Sequence, residues 1–249
     1  MSRKNILITG ASSGLGAEMA KQFAAKGRDL VLAARRTDRL AQVRQQLLTA
    51  NPGITVLVKA LDVTDHDAVF RVFAEARAEL GSLDRVIVNA GLGKGQPLGT
   101  GYFHANKQTA ETNFVAALAQ CEAAMTAFRE QNAGHLVVVS SMSAMRGLPR
   151  NLSTYAASKA GVAALAEGIR ADTLRTPIKV TTLFPGYIRS EMNEKVRNTP
   201  LISDTATGVR AMVRAIERES ATACVPAWPW AVLAVAMRAL PLGVVARLS

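Results

Sequence analysis

The sequence is poor in cysteine, in long apolar runs and in acid. It has only two cysteines, Cys121 and Cys224, in 249 residues. That excludes a disulfide scaffold; two unpaired thiols suit a reducing compartment, so a cytoplasmic location is expected. No uninterrupted, proline-free apolar run is long enough to cross a bilayer. The nearest, Ala221 to Met237, is broken by Pro226 and Pro229. The basic start turns apolar for only a few residues before Gly10, too few for a secretory signal. Repeats, low-complexity tracts and long linkers are missing too. Asp+Glu number 19 against 30 Lys+Arg, a formal charge of +11. Residues 1–60 hold ten basic and three acidic residues, +7 of that total. Such a lobe can meet nucleic acid, an anionic membrane or a phosphorylated small molecule. No zinc-ligand, RNP or basic-helix pattern accompanies it, so nucleic acid is not expected as a partner. No metal site is expected either.

What is present is a globular composition, 49% apolar, which excludes a disordered chain. Short apolar runs alternate with helix-like stretches. Strands are predicted at residues 6–8, 30–34, 54–58, 86–88, 136–139 and 180–184. Helices are predicted near 14–26, 38–50, 65–80, 105–131 and 155–174, with Asp65 as an N-cap. The strand runs lack polar alternation, as strands covered on both faces do. The expected architecture is α/β. A single Rossmann-type domain spans 1–249, with a doubly wound parallel sheet of about seven strands and helices on both faces. Residues 222–249 form its apolar C-terminal extension, with the seventh strand and final helix. Ligands of such sheets bind beyond the carboxyl ends of the strands, so chemistry is sought there.

After the first strand comes Thr9-Gly10-Ala11-Ser12-Ser13-Gly14-Leu15-Gly16. Glycines here permit a tight turn and a close approach of backbone to a pyrophosphate at a helix N-terminus. The competing reading is a plain strand-to-helix turn. After the second strand comes Ala34-Arg35-Arg36. A carboxylate there would bind the ribose 2′-hydroxyl of NAD and repel a 2′-phosphate, whereas a guanidinium would bind that phosphate. Arg35, helped by Arg36, therefore points to NADP(H), against the alternative of solvated surface charge. Asp62-Val63 follows the third strand, where a carboxylate could meet the adenine amino group or simply face a helix N-terminus. Asn89-Ala90-Gly91 follows the fourth; Asn89 could tie adjacent strands while Ala90 and Gly91 leave room for a cofactor.

The strongest signal is Tyr155-Ala-Ala-Ser158-Lys159. Residues four apart share a helix face, and a neighbouring ammonium favours a phenolate. Upstream, Ser140-Ser141 ends the fifth strand, where a hydroxyl could hold a carbonyl oxygen that the tyrosine protonates.

Together these residues resemble the short-chain dehydrogenase/reductase family, classical branch, over roughly residues 4–220. The resemblance implies that Tyr155 is the general acid/base. It implies that Lys159 binds the nicotinamide ribose and lowers the tyrosine pKa, and that Ser141 orients the carbonyl. Asn113, in the long fourth helix, would hold a water in a proton relay. Pro185-Gly186, with Ile188 nearby, would contact the nicotinamide end. The cofactor set implied is Gly10, Ser12, Ser13, Gly14, Leu15, Gly16, Arg35, Arg36, Asp62, Val63, Asn89, Ala90, Gly91, Tyr155, Lys159, Pro185, Gly186 and Ile188. One departure stands out. Ser141 and Tyr155 are fourteen residues apart, where the family more often has thirteen. The extra residue is expected in the loop 149–153, and Ser143 is the fallback for Ser141.

The expected activity is NADP(H)-dependent interconversion of a carbonyl and an alcohol, on an apolar substrate if Met142, Met145, Tyr187 and Met192 line the mouth. Core filling is the alternative for the methionines. A non-catalytic NADP(H) sensor or scaffold on the same fold is the rival reading. The family likeness implies a homo-dimer or homo-tetramer through the helices near 105–131 and 153–174. The C-terminal segment holds both tryptophans, with Arg238 and Arg247 as its charges. It would cover a subunit or the substrate mouth, or make a weak peripheral membrane contact.

Overall fold

The computed structural model describes residues 3–93, 95–191 and 201–248, and all structural statements concern these. Met192 lies outside them.

Seven strands form one parallel sheet in the order β3-β2-β1-β4-β5-β6-β7. They are β1 (Asn5–Thr9), β2 (Asp29–Ala34), β3 (Val56–Ala60), β4 (Arg85–Val88), β5 (Gly134–Val139), β6 (Ile178–Pro185) and β7 (Thr222–Val225). The helices are α1 (Gly14–Ala24), α2 (Thr37–Ala50), α3 (His66–Leu80), α4 (Phe103–Ala110), α5 (Ala116–Gln131), α6 (Ser153–Thr173), α7 (Thr205–Glu217), α8 (Ala227–Ala239) and α9 (Leu242–Leu248). Strand alternation sends side chains to two cores. Leu7, Val31, Val86, Val88, Leu136 and Val138 pack with α3, α5 and α6 on one face. Ile6, Ile8, Leu30, Leu32, Val137 and Leu183 pack with α1, α2 and α7 on the other. Both faces are therefore covered, which is why the strands read as apolar runs. The strand order reverses between β1 and β4, the crevice where such sheets bind ligands. This is the doubly wound Rossmann-type sheet expected from the sequence.

Three details differ from the sequence reading. Strand β3 begins and ends two residues later than predicted. It carries Lys59, whose ammonium reaches Glu75 (2.9 Å) and Glu79 (2.5 Å) on α3, so a charged residue sits within an edge strand. The long helix expected over 105–131 is interrupted by a π-helical turn, Glu111–Val115, between α4 and α5. Helix α7 was not expected. Its signal was present: Asp204 caps it by accepting from the Thr207 N–H (2.8 Å), and Val209, Met212, Val213 and Ile216 are buried at helical spacing. Asp65 caps α3 as predicted, accepting from the Ala68 N–H at 3.0 Å.

Candidate active site

The glycine turn is shaped by contacts that only glycine allows. Gly10 and Gly14 have φ of +66° and +54°. A Cβ on Gly16 would lie 2.3 Å from the Gly10 carbonyl oxygen, so α1 starts hard against the turn. Asn89 braces the turn from β4. Its side-chain amide donates to the Thr9 carbonyl (2.9 Å), while the Asn89 and Ala90 N–H groups donate to Thr9 Oγ1 (3.1 and 3.2 Å). The strand-tying role read for Asn89 is therefore what the structure has. These contacts join β1 to β4 and leave the first N–H groups of α1 at the crevice.

Arg35 and Arg36 leave the carboxyl end of β2 toward this turn. Arg36 donates from Nε and Nη2 to Ser12 Oγ (3.2 and 3.1 Å) and from Nη2 to Ser13 Oγ (2.6 Å). It also pairs with Glu191 (3.0 Å), and Arg39 on α2 bonds the other oxygen of that carboxylate. The Ser13 hydroxyl and the two guanidiniums hold the Glu191 carboxyl below its usual value. Sequence reading missed Arg39 and Glu191. Arg39 could have been found, since it stands one helical turn from Arg35 and Arg36. Glu191, 152 residues away, gives no local signal. Arg35 lies 3.8 Å from Asp62, with both side chains largely exposed. Burial acts to raise the Asp62 carboxyl, but bonds from the Thr64 N–H and hydroxyl, with Arg35 nearby, bring it below its usual value. The adjacent Val63 is buried in the core.

On the other side of the crevice, β5 delivers two serines to different ends. The buried Ser140 hydroxyl donates to the Lys159 carbonyl (2.8 Å) and ties α6 to the strand. The Ser141 hydroxyl lies near enough to Tyr155 to act on its phenol. It also accepts from the Ser143 N–H (3.1 Å), so the fallback residue braces Ser141 through its backbone. The loop 149–153 holds a short 3-10 turn, Arg150–Leu152, which opens with Arg150 at φ +59°, and α6 begins immediately after.

Lys159 lies on the Tyr155 face of α6, is 6% exposed, and donates from Nζ to the Val139 carbonyl (2.9 Å). Burial pushes its ammonium down to about 8. Tyr155 moves the other way. Burial raises its phenol above the usual value, against a lowering from the Ser141 hydroxyl and with a further rise from Tyr187. The Lys159 ammonium itself is turned to the Val139 carbonyl. Asn113 sits inside the π turn, a feature frequent at functional sites. Its Oδ1 accepts from the Leu92 N–H (2.7 Å), and its Nδ2 donates to the Leu92 carbonyl (2.9 Å) and to Ser158 Oγ (3.3 Å). A Cβ on Gly91 would fall 3.1 Å from Asn113 Oδ1 and 3.5 Å from Lys159 Nζ, so these three meet.

Gly186, after β6, is fixed by an N–H bond to the Val225 carbonyl (3.0 Å) and carries the Trp230 indole directly on its Cα. Tyr187 stacks edge-on against the same indole, centroids 5.6 Å apart. Ile188 is buried against α7 at Gly208. Met142 and Met145 are buried with Phe184, Trp230 and Ala234, so both fill a small core under α8. Arg146 holds the end of α8 by donating to the Arg238 and Leu240 carbonyls (3.0 and 2.8 Å). Trp230 and Arg146 are further residues that the sequence did not single out. Among the described residues no His/Cys/Asp/Glu group could hold a metal.

The geometry thus joins a glycine-braced helix terminus, a cluster of guanidiniums, and a half-buried serine and tyrosine with a buried lysine on the same helix. Residues 4–201 match the short chain dehydrogenase family. An uncharacterized oxidoreductase of Mycobacterium tuberculosis is 55% identical over 241 residues, covering 97% of this chain and 95% of its own length. A short-chain type dehydrogenase/reductase from Mycobacterium marinum superposes with a TM-score of 0.81 at 27% identity, over 90% of this chain and 92% of that one. An alcohol dehydrogenase from Thermococcus sibiricus, complexed with 5-hydroxy-NADP, superposes with a TM-score of 0.79 at 23% identity, over 89% and 95%. The chain belongs to the short-chain dehydrogenase family and is an oxidoreductase of it.

Proposed function

We propose that the protein is an NADP(H)-dependent oxidoreductase that interconverts a ketone or aldehyde with its alcohol. The observation that carries this reading is Ser141 set against the Tyr155 phenol, with the buried Lys159 on the same helix, at the carboxyl ends of the strands. NADP(H) would be held by the turn Gly10–Gly16, by Ser12, Ser13, Arg35 and Arg36, and at its far end by Asn89–Gly91, Lys159 and Pro185–Gly186. The Thermococcus neighbour, complexed with 5-hydroxy-NADP, is in keeping with the 2′-phosphate preference. When bound, NADPH supplies a hydride. The rest falls to the side chains.

Ser141 donates a hydrogen bond to the carbonyl oxygen and fixes its position. Tyr155 gives that oxygen its proton. A phenol raised by burial stays protonated at neutral pH, which suits an acid in the reducing direction. Lys159, at about 8, is mostly charged at neutral pH and close to the range where it can pass a proton on. The Asn113 amide holds the Leu92 backbone and, through Ser158, the turn that carries Tyr155. Placement and preorganised hydrogen bonds supply most of the rate. Tyr187, 41% exposed on the Trp230 ring, offers an apolar wall for the substrate. The buried methionines do not add to it. A cytoplasmic dimer or tetramer formed through α5 and α6 belongs to the same reading; Leu118 on α5 is exposed.

The test is NADPH oxidation across ketosteroids, 3-ketoacyl thioesters, quinones, aliphatic aldehydes and sugars, with NADH in parallel. Turnover with one class, lost in Tyr155→Phe while NADPH affinity is kept, is the expected result. Arg35→Ala should weaken NADPH far more than NADH. Tight NADPH binding with no turnover on any class would favour a sensor over an enzyme.

A further inference from the structure

Apart from Arg238 in its last turn, helix α8 is apolar all round, yet only one side is used. Trp230 and Ala234 face inward and pack on Met142, Met145 and Phe184. Trp228, Ala231, Val232, Val235 and Ala239 face outward and are exposed, Trp228 by 78% and Val235 by 69%. Leu242, 59% exposed, extends the patch onto α9. An all-apolar helix is ordinarily buried on all sides, so a contiguous exposed face of this kind marks a contact surface.

Charge selects the partner. From Ser220 to Ser249 the chain has no acidic residue, and its only charges are Arg238 and Arg247, both exposed. A second copy paired through this segment supplies no carboxylate from it to meet these charges. An anionic surface satisfies them. The patch also has an aromatic residue at one end and cations toward the other, the composition favoured where hydrocarbon meets headgroups. Length selects the geometry: α8 is non-helical at Trp228, so its regular part is residues 229–239, roughly 16 Å at 1.5 Å per residue. No described helix is long and apolar enough to cross a membrane.

We propose that the outer face of α8 and α9 docks the protein, in the plane of the interface, onto an anionic lipid bilayer. Trp228, Val232, Val235 and Leu242 enter the boundary between headgroups and acyl chains, and Arg238 and Arg247 meet lipid phosphates. Gly186 and Tyr187 lie directly behind this face, across the Trp230 ring. The proposal stands on the surface alone and does not depend on the reaction assigned above.

The experiment is co-sedimentation of the full chain with phosphatidylcholine vesicles and with vesicles containing about one-third phosphatidylglycerol. It is run at about 0.1 M and about 0.5 M salt, since the higher value screens surface charge within a few ångströms. Val235→Glu, Trp228→Ser and Arg238→Glu are compared with the parent. Melting temperature and solution mass serve as controls. The expected result is binding to the anionic vesicles, at least about tenfold weaker on neutral ones and at high salt. Each substitution should weaken it by about three- to tenfold with an unchanged melting temperature. A chain that stays in the supernatant overturns the proposal. So does equal binding to both lipids, or binding that survives all three substitutions. A solution dimer that Val235→Glu splits, with no lipid binding, would assign the face to a second copy instead.

Discussion

The two ends of the sheet treat buried charge in opposite ways. Near the amino ends of the strands, Arg85 on β4 has a side chain only 2% exposed and is fully partnered. It donates from Nε to His135 Nδ1 (2.9 Å) and from Nη1 to Glu217 (2.5 Å). Glu217 also takes Arg28 (2.9 Å), and Arg3 pairs with Glu219 (2.8 Å). Because His135 Nδ1 accepts from Arg85, the ring proton belongs on Nε2, which donates to Thr181 Oγ1 (2.8 Å). Burial, and then the charges of Arg85 and Arg3, keep that ring neutral, well below its usual pKa. At the carboxyl ends, Lys159 is just as buried and has a backbone carbonyl for a partner. Among the described residues no carboxylate faces it. The amino end settles its charges and holds α7 to the sheet. The carboxyl end leaves a cation and a phenol poised, at a cost in stability, and that is where proton transfer is proposed.

This contrast can be broken in several places. The largest effect is expected at the carboxyl end: Tyr155→Phe should lower turnover by about 10²–10⁴-fold, the usual weight of a positioned acid. Its melting temperature should hold or rise, since a desolvated hydroxyl is removed. A clear fall in thermal stability would show that Tyr155 is a structural residue instead. At the amino end the pattern should invert. Glu217→Gln strands the Arg85 charge and should destabilise the fold by about 2–3 kcal/mol, discounted from a fully buried pair because Glu217 is half-buried. Turnover per folded molecule should not change, as denaturant titration with parallel kinetics would show. The smallest effect belongs to Glu191. Its carboxylate occupies the Ser13, Arg36 and Arg39 donors that an incoming phosphate would use, so Glu191→Gln should tighten NADPH by a few-fold and leave NADH alone. Calorimetric titration reads both. Equal changes for the two cofactors would move the 2′-phosphate away from these arginines.

The parts of the fold that announce themselves locally were legible in the sequence. The apolar strands, the glycine turn before α1 and the Tyr155/Lys159 spacing on α6 are all set by residues within a few positions of one another. Ser141 was also readable, because it ends an apolar strand, and the structure brings it to Tyr155 despite the longer loop. Helix α7 could have been read from Asp204 and its apolar spacing. Other features depend on partners distant in sequence and left no local mark. Arg36 and Glu191 meet across 155 residues, Arg146 reaches carbonyls more than ninety residues on, and Trp230 covers Gly186. The direction of the Tyr155 shift was also hidden. The sequence shows that a lysine is near, but not that its ammonium turns to Val139 while burial acts on the phenol.

The carboxyl end keeps the buried Lys159 ammonium at the expense of stability. Thermal unfolding of Lys159→Met tests it most directly. Folding lowers the ammonium from 10.5 to about 8, a gap worth about 3 kcal/mol against the fold at neutral pH. Because the folded value lies below the unfolded one, the cost is full below pH about 8 and fades as pH rises toward 10.5. After allowing for the lost bond to Val139, Lys159→Met should stabilise the protein by about 1–2 kcal/mol at pH 7. It should abolish turnover, and its advantage should shrink above pH 8. A lower melting temperature at pH 7 would contradict the account and make Lys159 a structural pin between α6 and β5.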